Sequence, residues 1–445
     1  MKEIDVEKIL KDTLNEGATE AEIFRIRTRE VTLRTSSKIE SSKTVTLESI
    51  GIRAVVGKSY AIVGTQNITP QGIKEAVRAA VSIAKVSPED PDWLGLNDKV
   101  SKTPLYGLWD RETAEADPLL LKDKAEEAFQ AINEKSTSTR LVRGGFSAGE
   151  TIIELVNNYG GPVSQSFTSA IAWMYVKASE EGKEGTYSEF DAKRSIKELV
   201  VAEKAAEAAE RSLHFVNAKK ITTGEYAVVL APEVVSSIIG VMISPAISAN
   251  NVQQGRSPLA GKIGNEILSP KLTLTDIGCD PSLLGAKEFD DEGYPTKKTI
   301  ILQDGVLKNY LYDTYTARKD GVESTGNAHR SYTSSPTPAP NHLYISPGEP
   351  PTEELISTIR RGVLIMKTIG EWLSNYVSGK LNATITHGYI IENGEISGTF
   401  KGGVLSADFY EVFRKNLKMI SKETRQFPGA TAPYLMLENV KIAGE

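Results

Sequence analysis

The chain has 445 residues, a formal net charge of −6, 25% charged residues and a single cysteine. Because this length exceeds what one compact core usually supports, we expect two domains. The acidic balance and the absence of a Lys/Arg run argue against nucleic acid as a partner, since phosphate binding needs clustered positive charge. One cysteine excludes an internal disulfide and every multi-cysteine metal site. No signal-peptide pattern and no apolar run of membrane-spanning length occur, so we expect a cytoplasmic protein without membrane contact.

Residues 1–220 are predicted to form a mixed α/β domain. In the predicted strand 44–56, the apolar residues change from odd-numbered to even-numbered positions near Ser49–Gly51. This change of side predicts a β-bulge. Polar residues and Gly224 precede the next apolar stretch, so we place the domain boundary at 220/221. The spacing of apolar residues predicts helices over 4–16, 69–85, 118–135 and 192–213, and strands over 22–35, 44–56, 59–63, 141–147, 151–157 and 163–178.

Residues 221–445 are predicted to form a β-rich domain with helices, built on an antiparallel or barrel-like sheet, so the whole chain is expected to be α+β. Asp304-Gly305 and Asn393-Gly394 predict tight hairpins, because these pairs readily adopt the positive φ that such turns require. A short buried strand, 228–230, leads into an apolar helix that begins at Pro232. Further helices are predicted over 352–366 and 406–420, and a closing strand over 434–442.

The residue types that carry catalysis are widely separated in the sequence. None of the four histidines (His214, His329, His342 and His387) has another His or Cys at metal-ligand spacing. No Gly-x-Ser-x-Gly nucleophile elbow occurs, and turn chemistry explains the Ser and Thr residues around His329 as readily as catalysis does. The sequence therefore predicts no catalytic residue and no metal ligand on this chain.

Two polar segments, Asp290–Thr296 and Ser324–Arg330, are the most unusual parts of the chain. The three consecutive carboxylates of Asp290–Glu292 favour a solvated turn over a cation site. The small, polar character of the second segment predicts a loop that lines a cleft. The candidate cleft or peptide-binding residues are Asn327, His329, Arg330, Asn341 and His342.

Together with residues 299–313 and 341–348, these segments resemble the signature of the TldD/TldE family, whose second subunit is also called PmbA. Further similarities lie at residues 51–57, 378–382 and 388–395, so the resemblance covers nearly the whole chain. It implies a mixed α/β first domain and a β-rich second domain.

Catalytic members of that family are zinc peptidases, with His-Glu-x-x-x-His on the helix that begins here at Pro232 and a cysteine ligand near the carboxy terminus. Alignment through Gly255–Ser257 places Gly240 and Val241 at His-Glu and Pro245 at the second His, and residues 421–433 contain no Cys. The resemblance therefore implies a TldE-like subunit that is inactive alone and carries no cofactor. Zinc would reside on a TldD-type partner, the complex would cut unfolded or extended peptides, and the chain would be dimeric.

Two other interpretations stay open at this point. The chain could be a stand-alone hydrolase with a different nucleophile near His329. Alternatively, it could be a homodimeric peptide-binding or regulatory module, including the gyrase-modulator role with which the family is sometimes labelled. The absence of a basic patch counts against direct contact with DNA.

Overall fold

A computed structural model describes residues 4–445, and its first half is built on one six-stranded antiparallel sheet. The strand order is β3-β2-β1-β4-β5-β6 once the elements are numbered along the chain. These elements are α1 (Val6–Asn15), β1 (Glu20–Thr35), β2 (Ile39–Val56), β3 (Ser59–Thr65), α2 (Pro70–Val86), α3 (Arg111–Ala114), α4 (Pro118–Lys135), β4 (Thr139–Asn157), β5 (Gly160–Glu180), β6 (Lys183–Lys193) and α5 (Val201–His214).

The second half is built on an eleven-stranded, mainly antiparallel sheet. Its elements are β7 (Gly224–Leu230), α6 (Pro232–Met242), α7 (Ala249–Gln253), β8 (Leu274–Ile277), β9 (Lys298–Gln303), β10 (Val306–Leu307), α8 (Thr314–Lys319), β11 (Ala328–His329), β12 (Thr337–Pro338), β13 (Leu343–Ile345), α9 (Thr352–Ser357), β14 (Arg361–Ile369), β15 (Lys380–Glu392), β16 (Glu395–Phe400), β17 (Val404–Asp408), α10 (Phe409–Lys415), β18 (Leu417–Phe427) and β19 (Ala430–Ala443). None of the helices in residues 4–445 has the length and apolarity needed to cross a membrane.

Helices cover only one face of the first sheet. Odd-numbered residues of β1, such as Ile23 and Leu33, point to this face and pack against α1 and α2 at one end and against α4 and α5 at the other. Alanines dominate the contacting sides of α4 and α5, which lets these helices lie close to the strands. Even-numbered residues of β1 point the opposite way. We call that opposite side the outer face.

The second sheet surrounds the apolar helix α6. Strand β7 pairs with β14 in parallel and with β19 in the antiparallel sense, so α6 follows directly from the middle of the sheet. Its apolar side chains, Val234, Val235, Ile238, Ile239 and Met242, are all buried in the largest hydrophobic cluster. The predicted strand and buried helix are thus confirmed, as is the α+β class with a mixed first part and a β-rich second part. We propose the domain boundary at 220/221, between the two sheets.

Several sequence predictions of single elements are wrong, and in two of the predicted helices, 352–366 and 406–420, part of the segment is a strand. The helix predicted over 192–213 starts only at Val201, and that over 352–366 stops at Ser357, where β14 soon follows. The region 406–420 contains the end of β17, α10 and the start of β18, and the strands predicted over 141–147 and 151–157 form the single strand β4. Short apolar runs fit a buried strand as well as a helix, so periodicity alone does not separate them.

The two predicted hairpin turns are confirmed. Asp304 and Gly305 have φ values of 49° and 75°, and Asn393 and Gly394 have 52° and 83°. The predicted bulge near Ser49–Gly51 is wrong, because β1 and β2 pair there without a register shift. Apolar residues at both odd-numbered and even-numbered positions are buried there, because the first sheet is covered on both faces at this end.

The cover on the outer face comes from the turn between β11 and β12. Its residue Tyr332 crosses strands β2 and β3 at Gly51 and Gly64. A Cβ atom at Gly51 would lie 2.5 Å from the carbonyl oxygen of Tyr332, and a Cβ atom at Gly64 would meet side-chain atoms of Tyr332 and Thr333. The two halves of the chain approach each other this closely only because these positions have no side chain.

We expect Gly51→Ala to lower the free energy of unfolding by about 1–3 kcal/mol, because the added methyl group overpacks against a backbone carbonyl. Gly240→Ala is the control: a Cβ atom there meets nothing within 4 Å, and Gly240 lies on an exposed helix position. That change should be neutral or slightly stabilising. Urea unfolding of both variants measures the difference, and equal stability of the two variants would refute the close contact.

Candidate functional site

Helix α6 and the turn after it carry the three residues that the sequence resemblance assigns to the zinc motif, and their side chains have no metal-binding atoms. Gly240 is exposed and Val241 is half-buried near the end of the helix. Helix α6 ends at Met242, and Pro245 lies in the turn that follows. Zinc needs nitrogen, sulfur or carboxylate ligands held in one geometry. These three residues do not fit the ion.

Hydrogen bonds hold the segment after α6 in place. The side chain of Asn251 donates to the carbonyl oxygen of Pro245 at 2.8 Å, and the Ser257 hydroxyl donates to that of Ala246 at 2.5 Å. Among residues 4–445, no group of three or more His, Cys, Asp or Glu side chains is arranged to hold a metal ion. His214 and His387 lie apart from the candidate cleft residues, hydrogen-bonded to the Tyr389 hydroxyl and the Thr186 carbonyl oxygen, respectively.

A network of buried charges joins the two halves of the chain. Arg53 of β2 donates to Glu22 of β1 at 2.6 Å and to Glu292 of the second half at 3.3 Å. Arg330 donates to the same Glu22 oxygen at 2.7 Å, and its guanidinium lies 4.4 Å from the ring centre of Phe24. Burial would raise the pKa of Glu22, but Arg330 and Arg53 outweigh this effect and hold it below its ordinary value.

The carboxylates of Asp290–Glu292 are buried, so the predicted solvated turn is wrong. Asp290 accepts hydrogen bonds from the backbone N–H groups of Glu292 and Tyr294 and, at 3.0 Å, of Ala328. Asp291 accepts from the backbone N–H of Arg330 at 3.0 Å. The segment therefore anchors β11 and the following residue Arg330. Its carboxyl groups accept backbone N–H groups from distant segments, which the sequence pattern does not reveal.

Two carboxyl groups of this network have raised pKa values. Burial, and then the charge of Glu292, raises the pKa of Asp290 well above its ordinary value. The same two causes raise the pKa of Asp313 to about 7. Asp313 also caps α8, accepting from the backbone N–H of Thr316 at 2.8 Å. Several carboxylates close together in a dry region cannot all ionise freely, which explains both shifts.

Three of the predicted cleft residues meet at another buried carboxylate, Asp276. The Asn327 side chain donates to it at 2.7 Å, and the backbone N–H of His342 donates to it at 2.9 Å. The Asn341 side chain donates to Asp276 at 3.4 Å and to the carbonyl oxygen of Gly326 at 2.9 Å. Burial raises the pKa of Asp276 to about 6 and lowers that of His342 to about 4. These contacts hold the loop in place, and Asn327, Asn341 and His342 are buried, away from any groove surface.

The other two predicted residues, His329 and Arg330, line a groove of about 570 Å³ between the outer face and the second half. Its walls include Phe24, Phe167 and Lys287. Burial, followed by the charge of Lys287, lowers the pKa of His329 to about 4, and its Nε2 has no hydrogen-bond partner within the described chain. Within residues 4–445 no Ser or Thr hydroxyl forms a hydrogen bond with the His329 ring. The hydroxyl groups of Ser324 and Thr325 donate instead to the carbonyl oxygen of Tyr312.

Sequence reasoning missed Glu22, Arg53, Asp276 and Asp313. One signal was available: Arg53 lies in the apolar stretch 50–56, where a charged side chain is unusual unless it is paired. The partners of these residues lie in distant parts of the sequence, and no local pattern identifies them.

Comparison with known proteins gives a consistent result along the chain. Models of PmbA/TldA metallopeptidase domain 1, central domain and C-terminal domain match residues 21–84, 111–214 and 223–444. An uncharacterized protein of Methanocaldococcus jannaschii is 29% identical over 95% of this chain and 96% of its own length. Metalloprotease PmbA of Escherichia coli O157:H7 is 24% identical over 85% of this chain and 82% of its own. The crystal structure of TldE from Thermococcus kodakarensis has a TM-score of 0.91 at 26% identity, covering 98% of this chain and 99% of that one.

We expect Arg53→Met to lower the free energy of unfolding by about 3–5 kcal/mol, because it removes the positive partner of buried Glu292 and one of the two partners of buried Glu22. Adding Glu292→Gln to that variant should restore part of the loss, since it removes the carboxylate whose partner was lost. Lys415→Met removes an exposed ion pair with Glu411 and is the control, with almost no expected effect. Chemical denaturation of the four proteins tests this, and equal effects of Arg53→Met and Lys415→Met would contradict the network.

The raised pKa of Asp313 predicts a pH-dependent stability. An unfolded Asp titrates near pH 4, so between about pH 4 and 7 the folded chain holds a proton that the unfolded chain has lost. The stabilising contribution is complete below about pH 4 and is lost as the pH rises through about 7. Asp313→Asn mimics the protonated group near Glu292 and Arg53. We therefore expect the Tm of the variant minus that of the parent to increase from pH 5 to pH 8.

Asp110→Asn is the matched control, because Asp110 also caps a helix. Partial burial would raise the pKa of Asp110, yet hydrogen bonds from Thr113 outweigh this effect and hold the pKa below its ordinary value. Asp110 is therefore ionised throughout this pH range, and its Tm difference should stay constant. A constant difference for Asp313→Asn as well would show that Asp313 is ionised in the folded chain.

Proposed function

The chain belongs to the PmbA/TldD/TldE metallopeptidase family, and we propose that it is the non-catalytic, TldE-like subunit of a heteromeric zinc-dependent peptidase. The observation that carries the proposal is the residue set Gly240, Val241 and Pro245 on and after α6. A zinc peptidase needs ligands for the ion and a base for the bound water, and these side chains supply neither.

The backbone at this place is irregular. Gly240 and Pro245, the positions assigned to the two motif His residues, are five residues apart, which is more than the 3.6 residues of one helical turn. Here α6 ends at Met242, three residues before Pro245, and proline cannot donate the hydrogen bond that would extend the helix. A single restored histidine would therefore not rebuild the site.

In this proposal the zinc ion and the hydrolytic chemistry reside on a TldD-type partner of similar fold. This chain supplies part of the wall of a chamber that admits an unfolded or extended peptide and excludes folded protein. Its similarity to TldE of Thermococcus kodakarensis over nearly the whole length supports the assignment. Its own contribution is a rigid surface, held by the charge network between the two sheets.

The test combines this chain with a homologue that carries His-Glu-x-x-x-His. We expect the two chains to co-purify, with about one zinc ion per homologue and none on this chain alone. An unfolded, fluorescently labelled protein should be cleaved only by the mixture, and a chelator should abolish cleavage because the ion activates the attacking water.

Substitution on each subunit separates the roles. Replacing the first motif His of the homologue by Ala should abolish cleavage, whereas Val241→Ala on this chain should leave cleavage by the mixture unchanged. Chelator-resistant cleavage by this chain alone would overturn the proposal, and so would stoichiometric zinc bound to it.

A further inference from the structure

The outer face of the first sheet has two grooves that lie on one straight path. The first is the groove beside His329, whose floor includes Ile26, Thr151 and Phe167. The second, of about 560 Å³, lies further along the same strands and includes Thr32, Gly145 and Trp173 among its lining residues. Strand register places all six on the same side: Ile26 and Thr32 on β1, Thr151 and Gly145 on β4, and Phe167 and Trp173 on β5.

Each groove has an aromatic side chain at its floor. Trp173 lies over Gly145, where a side chain would collide with the indole nitrogen, and 38% of Trp173 remains exposed. Phe167 packs against the guanidinium of Arg194 at 5.6 Å. Both rings are therefore held against neighbouring groups, and such held aromatic side chains are the usual anchors of binding surfaces.

Small residues and one isoleucine separate the two grooves. Thr28, Gly149 and Ser169 lie between them on β1, β4 and β5, and the half-buried Ile171 follows Ser169 on the same face of β5. Phe167 and Trp173 are six residues apart on one strand, which corresponds to about 20 Å. An extended ligand that contacts both rings would pass over Ile171, whose apolar side chain is only partly exposed.

We propose that this path is a binding track for an extended polypeptide that presents two apolar or aromatic side chains six residues apart. In an extended chain, side chains at an even separation point to the same side, so six residues match both the distance and the direction of the two grooves.

The shape and charge of the surface favour an extended chain as the occupant. Exposed charges of both signs, Glu30 and Glu40 with Arg34 and Arg143, surround the second groove, which suits a peptide and not a polyphosphate. The separation of about 20 Å between the two recesses matches two same-side side chains of one extended strand, six residues apart. The inference rests on the proposed function only for the ligand class, unfolded polypeptide.

The test uses the isolated chain and synthetic fluorescein-labelled peptides of about a dozen residues, rich in Ser and Thr. One peptide carries two Phe residues six positions apart, and a second carries them five positions apart, so that they point to opposite sides. By fluorescence anisotropy, the first peptide should bind about ten-fold more tightly than the second, a difference of about 1.4 kcal/mol.

Variants of the chain locate the site. Trp173→Ala should weaken binding of the first peptide about ten-fold, the size expected for loss of an aromatic anchor. Trp173→Phe should retain most of the affinity. Tyr175→Ala is the matched control, since Tyr175 is 37% exposed on the same strand and face but does not line the groove, and its effect should be small.

The inference is overturned if the isolated chain binds neither peptide, if both peptides bind equally, or if Trp173→Ala and Tyr175→Ala have the same effect. None of these outcomes affects the proposed function, which depends on co-purification with a zinc-bearing homologue and on cleavage by the mixture. If the chain binds the first peptide but does not co-purify with the homologue, the binding track stands and the proposed peptidase role is refuted.

Discussion

Buried charges between the two sheets determine how the halves of the chain fit together. Glu22 and Arg53 lie on neighbouring strands of the first sheet, and Glu292 and Arg330 come from the second half. A buried charge is costly unless it is paired, so each half alone would leave some of these charges without full compensation. The network therefore favours one relative arrangement of the sheets over the many that apolar contacts alone would allow.

The remaining contacts of the interface depend on that arrangement. Glu292 accepts from the backbone N–H of Thr314 at 2.8 Å, and Asp291 accepts from that of Arg330, so the same acidic segment joins α8, β11 and the first sheet. The turn carrying Tyr332 then lies against Gly51, and the first groove forms beneath it. A surface that holds peptide must be rigid before the ligand arrives, because ordering it on binding would reduce affinity. The charge network supplies this rigidity at the end of the outer face nearest the second half.

The sequence predicted features whose cause is local and missed those whose cause is distant. Asp304-Gly305 and Asn393-Gly394 determine their turns through the conformations that these residues adopt. The apolar spacing of α6 likewise identifies its buried side. By contrast, Glu22 and Arg330 are 308 residues apart, and the burial of Asp290–Glu292 depends on backbone groups contributed by other segments. Three adjacent carboxylates look solvated in a sequence, and only the fold shows the N–H groups that receive them.

Helix α6 shows why the fold can persist where the residues for zinc chemistry are missing. Its buried side contributes to the main core of the second half, and Glu233 at its start pairs with Lys367 of β14 at 2.6 Å. Gly240 lies on the exposed side, where a side chain would meet no neighbour, and Val241 is only half-buried against the core. Packing of the core therefore depends mainly on other residues of this helix. A change of residue at the exposed position therefore costs the core almost nothing, so the fold does not depend on which side chain stands there.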